Sequence, residues 1–395
     1  MATFAWGLGF YGLAVFLPQL KAAHPGWSTG AISAGTTFYY LAGAGLMWFA
    51  GTAFARFGLR LPVLAGLACM AAGAGALPFL TALWQLFAAY AVMAFGWAVM
   101  STTGIATILA HSFDRRRGLA LSLALNGASF AGVAVSPVLL LLSREAGFAT
   151  AVPAVAGAMA LLLVPLLWVS LAPGRQGHAD LPPAHDGEIP PLSGQAAGPV
   201  SPPARGPLLR SLAFWSVAAP FAIVLLQQVG FLTHQVAFLE GRIGAAQVAL
   251  AVALTTGSAV AGRLALGLVI DRLDKRAVTA ASFALQIAAL GIMLASGDAL
   301  ALYGACILYG LNVGNIITLP ALIVQVEYPP AAYALVVGMV TAIAQFTYAF
   351  GPGLQGLLRD LAGAYEPGLV LCMALNAGAA LLVLMRPGRR QAAAT

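Results

Sequence analysis

The chain is predicted to be an all-α membrane protein with twelve transmembrane helices in two pseudo-symmetric six-helix bundles. Three observations carry this. Hydrophobic residues make up 61% of the 395 and charged residues 8%, with a mean hydropathy of +0.91, whereas roughly a quarter of a soluble domain is charged. Apolar runs of roughly 17 to 28 residues recur, and about 20 residues at 1.5 Å each cross a hydrocarbon core. The 35 residues from Leu171 to Arg205 hold eight prolines and split the apolar sequence near its midpoint. That tract can neither build a core nor span a bilayer.

The first bundle is expected over residues 1–171 and the linker over 172–207, followed by the second bundle over 208–388 and a tail over 389–395. The first bundle's spans are read as Phe4 to Leu20, Thr29 to Phe54, Leu61 to Leu80, Trp84 to Ala110, Gly118 to Leu142 and Phe148 to Leu171. The second bundle's are Ser211 to Leu239, Val248 to Ile270, Ala277 to Ser296, Ala299 to Val326, Ala332 to Leu357 and Pro367 to Met385. The first is the shortest. It carries no basic n-region and no clear cleavage site, so a helix trimmed at its N-terminus is expected rather than a cleaved signal peptide.

The net charge of +7 does not point to nucleic acid. Counting loops alternately from the linker places fourteen of the 19 basic residues on one side, including Arg56, Arg60, Arg115 to Arg117, Arg272, Lys275 and Arg276. The other side has Lys21, Arg144, Arg242 and Arg359, while Arg263 falls inside a span. The positive-inside rule then makes the linker and both termini cytoplasmic, in an inner (plasma) membrane. Cys69, Cys306 and Cys372 fall in separate spans without C-x-x-C spacing, so they read as packing residues, and neither metal nor cofactor is expected. The 45 glycines suit close helix packing in lipid.

The two halves echo each other after their second helices. Gly51 is followed five residues later by Arg56 and nine later by Arg60, as Gly267 is by Arg272 and Arg276, with Asp271 only in the second copy. This resembles the G-x-x-x-D-R-x-G-R-R loop of the major facilitator superfamily, which implies two six-helix bundles, a gating role for this loop and transport by alternating access. Tyr11 to Pro18 with Gly26-Trp27-Ser28, Phe113 to Ala120, and Gly262-Arg263 with Gly267 are similar to bacterial monocarboxylate and oxalate/formate carriers. In that group the arginine of the eighth helix binds the carboxylate, a role that falls here on Arg263.

Arg263 also has a separate physical claim. An arginine inside a span costs ~2.5 to 3.5 kcal/mol on insertion scales unless it faces a polar cavity or a partner. It lies about 12 Å inside the predicted cytoplasmic helix end, so snorkelling toward the headgroups is the competing reading. Asn126, Gln227, Gln228, Asn312, Asn315 and Gln345 are further intramembrane polar groups that either line an anion pocket or bond helix to helix. Tyr11, Tyr39 and Tyr40, with Tyr309 and Tyr348 in the second half, are candidate pocket walls. His234 is a candidate proton site or a helix contact. No Asp or Glu lies well inside a span, Ala259 occupies the position four before Arg263, and the first helix has no lysine of the kind animal monocarboxylate carriers use.

The sequence therefore points to a monomeric carrier of a small organic anion, in which Arg263 holds the carboxylate and a proton or counter-anion is the open co-substrate. Efflux of drugs or metabolites is an alternative within transport, and a membrane receptor one outside it. Clustered acid/base or metal ligands of the kind an enzyme needs are not evident. A topology reporter at Gly194 is expected to label from the cytoplasm; periplasmic labelling there would invert the orientation.

Overall fold

The computed structural model describes residues 1–112, 117–171 and 205–386. The other residues, including most of the linker, the tail, Arg115, Arg116 and the Phe113 end of the loop motif, lie outside the described residues. The chain divides into two compact units, Met1–Leu192 and Ser193–Thr395.

Twelve long helical stretches recur among the described residues, besides a short helix at Arg205–Leu209. In the first unit they are α1 (Ala2–Ala23), α2 (Thr29–Phe57), α3 (Arg60–Phe79), α4 (Leu83–Met100, continuing as Thr102–Ser112), α5 (117–145) and α6 (Phe148–Ser170). In the second they are α7 (Leu212–Ile243), α8 (Ala245–Val269), α9 (Lys275–Ala295), α10 (Ala299–Glu327), α11 (Pro330–Tyr348, continuing as Gly351–Ala362) and α12 (Glu366–Leu384). Eleven are long and apolar enough to cross a membrane. The twelfth, α2, has 29 residues, and its many Gly, Ala, Ser and Thr residues dilute its hydropathy.

The ends follow familiar local chemistry. Ser28, Asp274 and Asp298 accept the N–H of Ala31, Ala277 and Ala301 at the starts of α2, α9 and α10, satisfying donors the helix leaves bare. Asp274 also accepts from Arg386, and the Ala277 N–H together with that guanidinium holds its carboxyl below the usual value. Gly244 turns α7 into α8 at φ 70°, where a side chain would be strained.

Four irregularities depart from the twelve uninterrupted spans read from sequence. α1 is 22 residues rather than the shortest span, and it contains a π-helical turn at Gly7–Tyr11. α5 contains a second π turn at Ala131–Val135. The two meet: a Cβ on Gly7 would stand 2.9 Å from Val135. α4 breaks at Ser101, whose backbone is extended (ψ −168°), and α11 breaks between Tyr348 and Gly351. Apolar runs hide such breaks because hydropathy reports length and not backbone continuity.

Two arginines hold the second unit at opposite ends of α7. Arg276 is 3% exposed. Its Nε and Nη2 grip Glu327 in a two-point pair, Nη2 also donates to Ser216 Oγ, and Nη1 donates to the carbonyls of Ser216, Val383 and Met385. One guanidinium thus joins the ends of α7, α9, α10 and α12. At the other end Arg242 donates to the carbonyls of Met293, Leu294 and Ser296 and pairs with Glu366 at 2.8 Å. It caps the C-terminus of α9 with positive charge while Glu366 opens α12 with negative charge, both favoured by the helix dipole. Between them Phe214, Phe221, Phe283 and Ile316 pack into the apolar core.

Removing Arg276 strips the carbonyls of Ser216, Val383 and Met385 of their donor while Glu327 stays solvated, so Arg276→Ala is expected to cost roughly 1–3 kcal/mol. Arg386→Ala breaks only the half-exposed pair with Asp274, for about 0–1 kcal/mol. Thermal unfolding in detergent checks both, and equal losses would contradict the clamp assigned to Arg276.

Candidate functional site

The seam between α8 and α10 is built from residues too small to keep the helices apart. A Cβ on Gly262 would collide with the Leu311 carbonyl, and one on Gly310 with Ser258 and the Thr255 carbonyl. At Gly314 it would come within 2.5 Å of the Ala259 carbonyl and 3.2 Å of Arg263 Nε. Small side chains on both helices are what allow this approach.

Arg263 lies on this seam inside the 27-residue stretch Ala246–Arg272. It is partly buried, and its Nε donates to the Gly314 carbonyl of α10 at 3.4 Å. The next residue, Asn315, is 6% exposed. Its Nδ2 donates to the Leu311 carbonyl at 3.0 Å and its Oδ1 has no partner. Asn312, one turn from Leu308, donates to that residue's carbonyl at 2.9 Å.

A second polar group occupies the interior of the same unit. Gln227 donates to Gln286 at 2.9 Å, Gln286 donates to Gln228 at 3.0 Å, and the Tyr309 hydroxyl reaches Gln227 at 3.4 Å. All three glutamines are buried. Gln227 and Gln228, read from sequence as candidate ligand contacts, are here members of a chain linking α7, α9 and α10. Gln235 donates to Thr255 at 2.7 Å, and Gln355 to Cys372 at 2.8 Å. Sequence reasoning passes over Gln286, Gln235 and Gln355, although the test that selects Gln227, a polar amide within an apolar run, selects them too.

His234 is buried beside the break in α11. Its Nε2 lies 3.1 Å from the Pro352 carbonyl and its Nδ1 3.4 Å from the Tyr365 hydroxyl. A carbonyl only accepts, so Nε2 carries the proton and a neutral ring accepts at Nδ1. Burial pushes the Tyr365 phenol up to about 12, which keeps it protonated as the donor.

In the first unit Tyr39 and Tyr40 are buried in an aromatic cluster with Tyr90, Trp97 and Phe10, while Tyr11 is partly buried with its ring 5.0 Å from that of Phe10. Gly43 admits the Trp97 ring, which a Cβ would meet at 2.9 Å. Asn126 is exposed and Gln345 partly buried. Among the loop residues, Gly51, Arg56, Gly267, Asp271 and Arg272 are exposed. Arg60 stacks 3.2 Å from the Trp168 ring. Arg276, read as part of the same loop motif, is the buried clamp. No cluster of three or more metal-ligating side chains occurs among the described residues.

The profile of the Major Facilitator Superfamily matches residues 1–352. No curated protein matches the chain. Among solved structures, a bacterial homolog of the human lysosomal transporter Spinster, in an inward-facing and unoccupied conformation, aligns at a TM-score of 0.61. The alignment covers 97% of this chain and 93% of that one at 14% identity, a likeness of fold.

The seam predicts its own sensitivity. Gly314→Val is expected to cost roughly 1–3 kcal/mol by overpacking, whereas Gly304→Val, with open space around it, should cost only its local propensity. Thermal unfolding of the two variants separates them, and equal losses would mean the seam tolerates bulk.

Proposed function

Because the chain belongs to the Major Facilitator Superfamily and is therefore a multi-pass membrane transporter rather than an enzyme, we propose that its cargo is a small organic anion. A monocarboxylate is the first choice, bound through Arg263. The observation that carries this reading is the placement of Arg263: a permanently charged fork of donors, partly buried within an apolar helix and oriented by a backbone carbonyl. Insertion of such a group is unfavourable without a compensating role. Its planar geometry suits a carboxylate in two-point contact, which a lysine does not reproduce. The inner membrane is the proposed location, with the basic loops in the cytoplasm.

Exchange is the proposed mode. Among the described residues, every Asp and Glu lies within three residues of a helix end or outside the long helices. A carboxylate cargo would then neutralise the charge of Arg263, and the loaded carrier would reorient faster than the empty one. A second mode rests on His234, whose ring bridges α7, α11 and the turn before α12. Gain or loss of a proton there would change the bond to Tyr365 and couple transport to pH.

Counterflow of labelled carboxylates in proteoliposomes tests the reading. Arg263→Ala and Arg263→Lys are expected to abolish counterflow while the protein remains folded and inserted, and self-exchange is expected to outrun net uptake. Wild-type counterflow by Arg263→Ala would assign that residue to snorkelling. Net uptake equal to exchange, driven by a proton gradient and lost in His234→Ala, would replace exchange with proton coupling.

A further inference from the structure

We propose that Arg60 and Trp168 form a binding site for the phosphate of an anionic phospholipid, whose acyl chain lies along the outer face of α6. This goes beyond the cargo reading above and does not depend on it.

The two halves place one arginine at the same point and satisfy it differently. Arg60 follows Gly51 by nine residues and opens α3, as Arg276 follows Gly267 by nine and lies in the first turn of α9. The helices they meet also match at their ends. Leu171 stands two residues before Pro173-Gly174-Arg175 just after α6, and Met385 stands two before Pro387-Gly388-Arg389 just after α12. In the second half the guanidinium finds Glu327, the last residue of α10, together with Ser216 and the Val383 and Met385 carbonyls. In the first half the continuation of α4 ends on Ser112, which brings no charge. Arg60 accordingly has no carboxylate partner among the described residues, and it stacks instead on the Trp168 ring.

That stack leaves donors open. Of the three guanidinium nitrogens only Nε is covered, and it has no hydrogen-bond partner. Because Arg60 is only partly buried, the Nη1 and Nη2 end of the fork is what meets the surroundings. An arginine held by its face against a ring presents its N–H edges in a plane, which suits two-point contact with a phosphate.

The neighbourhood selects which phosphate. Neither 51–62 nor 159–171 contains an Asp or Glu, and Arg56 adds a second, exposed cation. Trp168 is 56% exposed, Val164 and Leu161 are exposed four and seven residues before it on the same face of α6, and Leu61 is exposed beside Arg60. An apolar stripe of about 10 Å thus leads from the cation into the hydrocarbon. Free phosphate has no use for that stripe. A phospholipid sets its headgroup on the fork and a chain on the stripe, with Trp168 at the level tryptophan favours.

The experiment measures binding of phosphatidylglycerol against phosphatidylcholine to the full-length protein in detergent, read by native mass spectrometry. The wild type is expected to prefer phosphatidylglycerol. Arg60→Gln should weaken its binding about fivefold or more, and Trp168→Leu should weaken it as well. Arg60→Lys should recover only part, because a point charge lacks the fork. Arg272→Gln removes an exposed cation from the corresponding loop of the other half and should leave binding unchanged. If Arg60→Gln does not insert, Trp168→Leu and the wild-type preference carry the test. No preference in the wild type overturns the site. Equal losses in Arg60→Gln and Arg272→Gln overturn it in favour of the general charge of that membrane face. Displacement of phosphatidylglycerol by inorganic phosphate overturns the lipid as the source. A preference that emerges only after Asp180→Asn, Asp186→Asn and Glu188→Gln makes the linker the occupant and overturns the proposal too.

Discussion

A cation that cannot lose its proton, placed where water is scarce, has to be met by acceptors from several directions, and the second unit is arranged around that demand. Arg276 reaches a carboxylate, a hydroxyl and three carbonyls. Because those acceptors sit at the ends of three helices and Arg276 itself opens α9, meeting its needs fixes four helix ends relative to each other. Arg242 does the same at the far end with three carbonyls and Glu366. Desolvation makes each clamp expensive and its loss more so, which is why they define geometry more than they add net stability.

Between the clamps the helices approach through absent side chains. Gly230 and Gly351 bring α7 onto α11, with a Cβ on Gly230 only 2.7 Å from the Gly351 carbonyl. Gly262, Gly310 and Gly314 bring α8 onto α10 in the same way. Lipid tails offer no hydrophobic drive for helix pairing, so close van der Waals contact and buried amide bonds must supply it. The glutamine chain from Gln228 through Gln286 to Gln227 is such a bond set, and the approach of Gly314 to α8 is what puts its carbonyl against Arg263.

Helix number and apolar length were legible because burial in lipid imposes them on composition. Arg263 was legible as an anomaly, a charge inside an apolar run, and its contact with Gly314 supplies the orientation that spacing alone lacks. The burial of Arg276 was not legible. A loop motif suggests a surface gate, yet depth below the surface depends on where α12 ends, and Val383 and Met385 lie more than 100 residues along the chain. The partners of Gln227 and Gln228 were hidden for the same reason, since pairings across 58 and 59 residues leave no local pattern. The Ser101 break escaped because the span was drawn on its overall hydropathy, although Met100-Ser-Thr-Thr-Gly104 interrupts the apolar run with three hydroxyl residues and a glycine.

The crossing of α1 and α5 has a consequence for how this chain tolerates insertion and deletion. A π turn holds one residue more than the α turn it replaces. Deleting one residue from Gly7–Tyr11 would therefore return that turn to α geometry and leave the faces on either side in register, so Thr3 would still meet Gly127. A deletion elsewhere in α1 has no surplus residue to give up and would swing one side of the cut by about 100° around the axis. The same holds for Ala131–Val135 in α5, so the two bulges are the places where either helix can lose a residue and keep its facing partner.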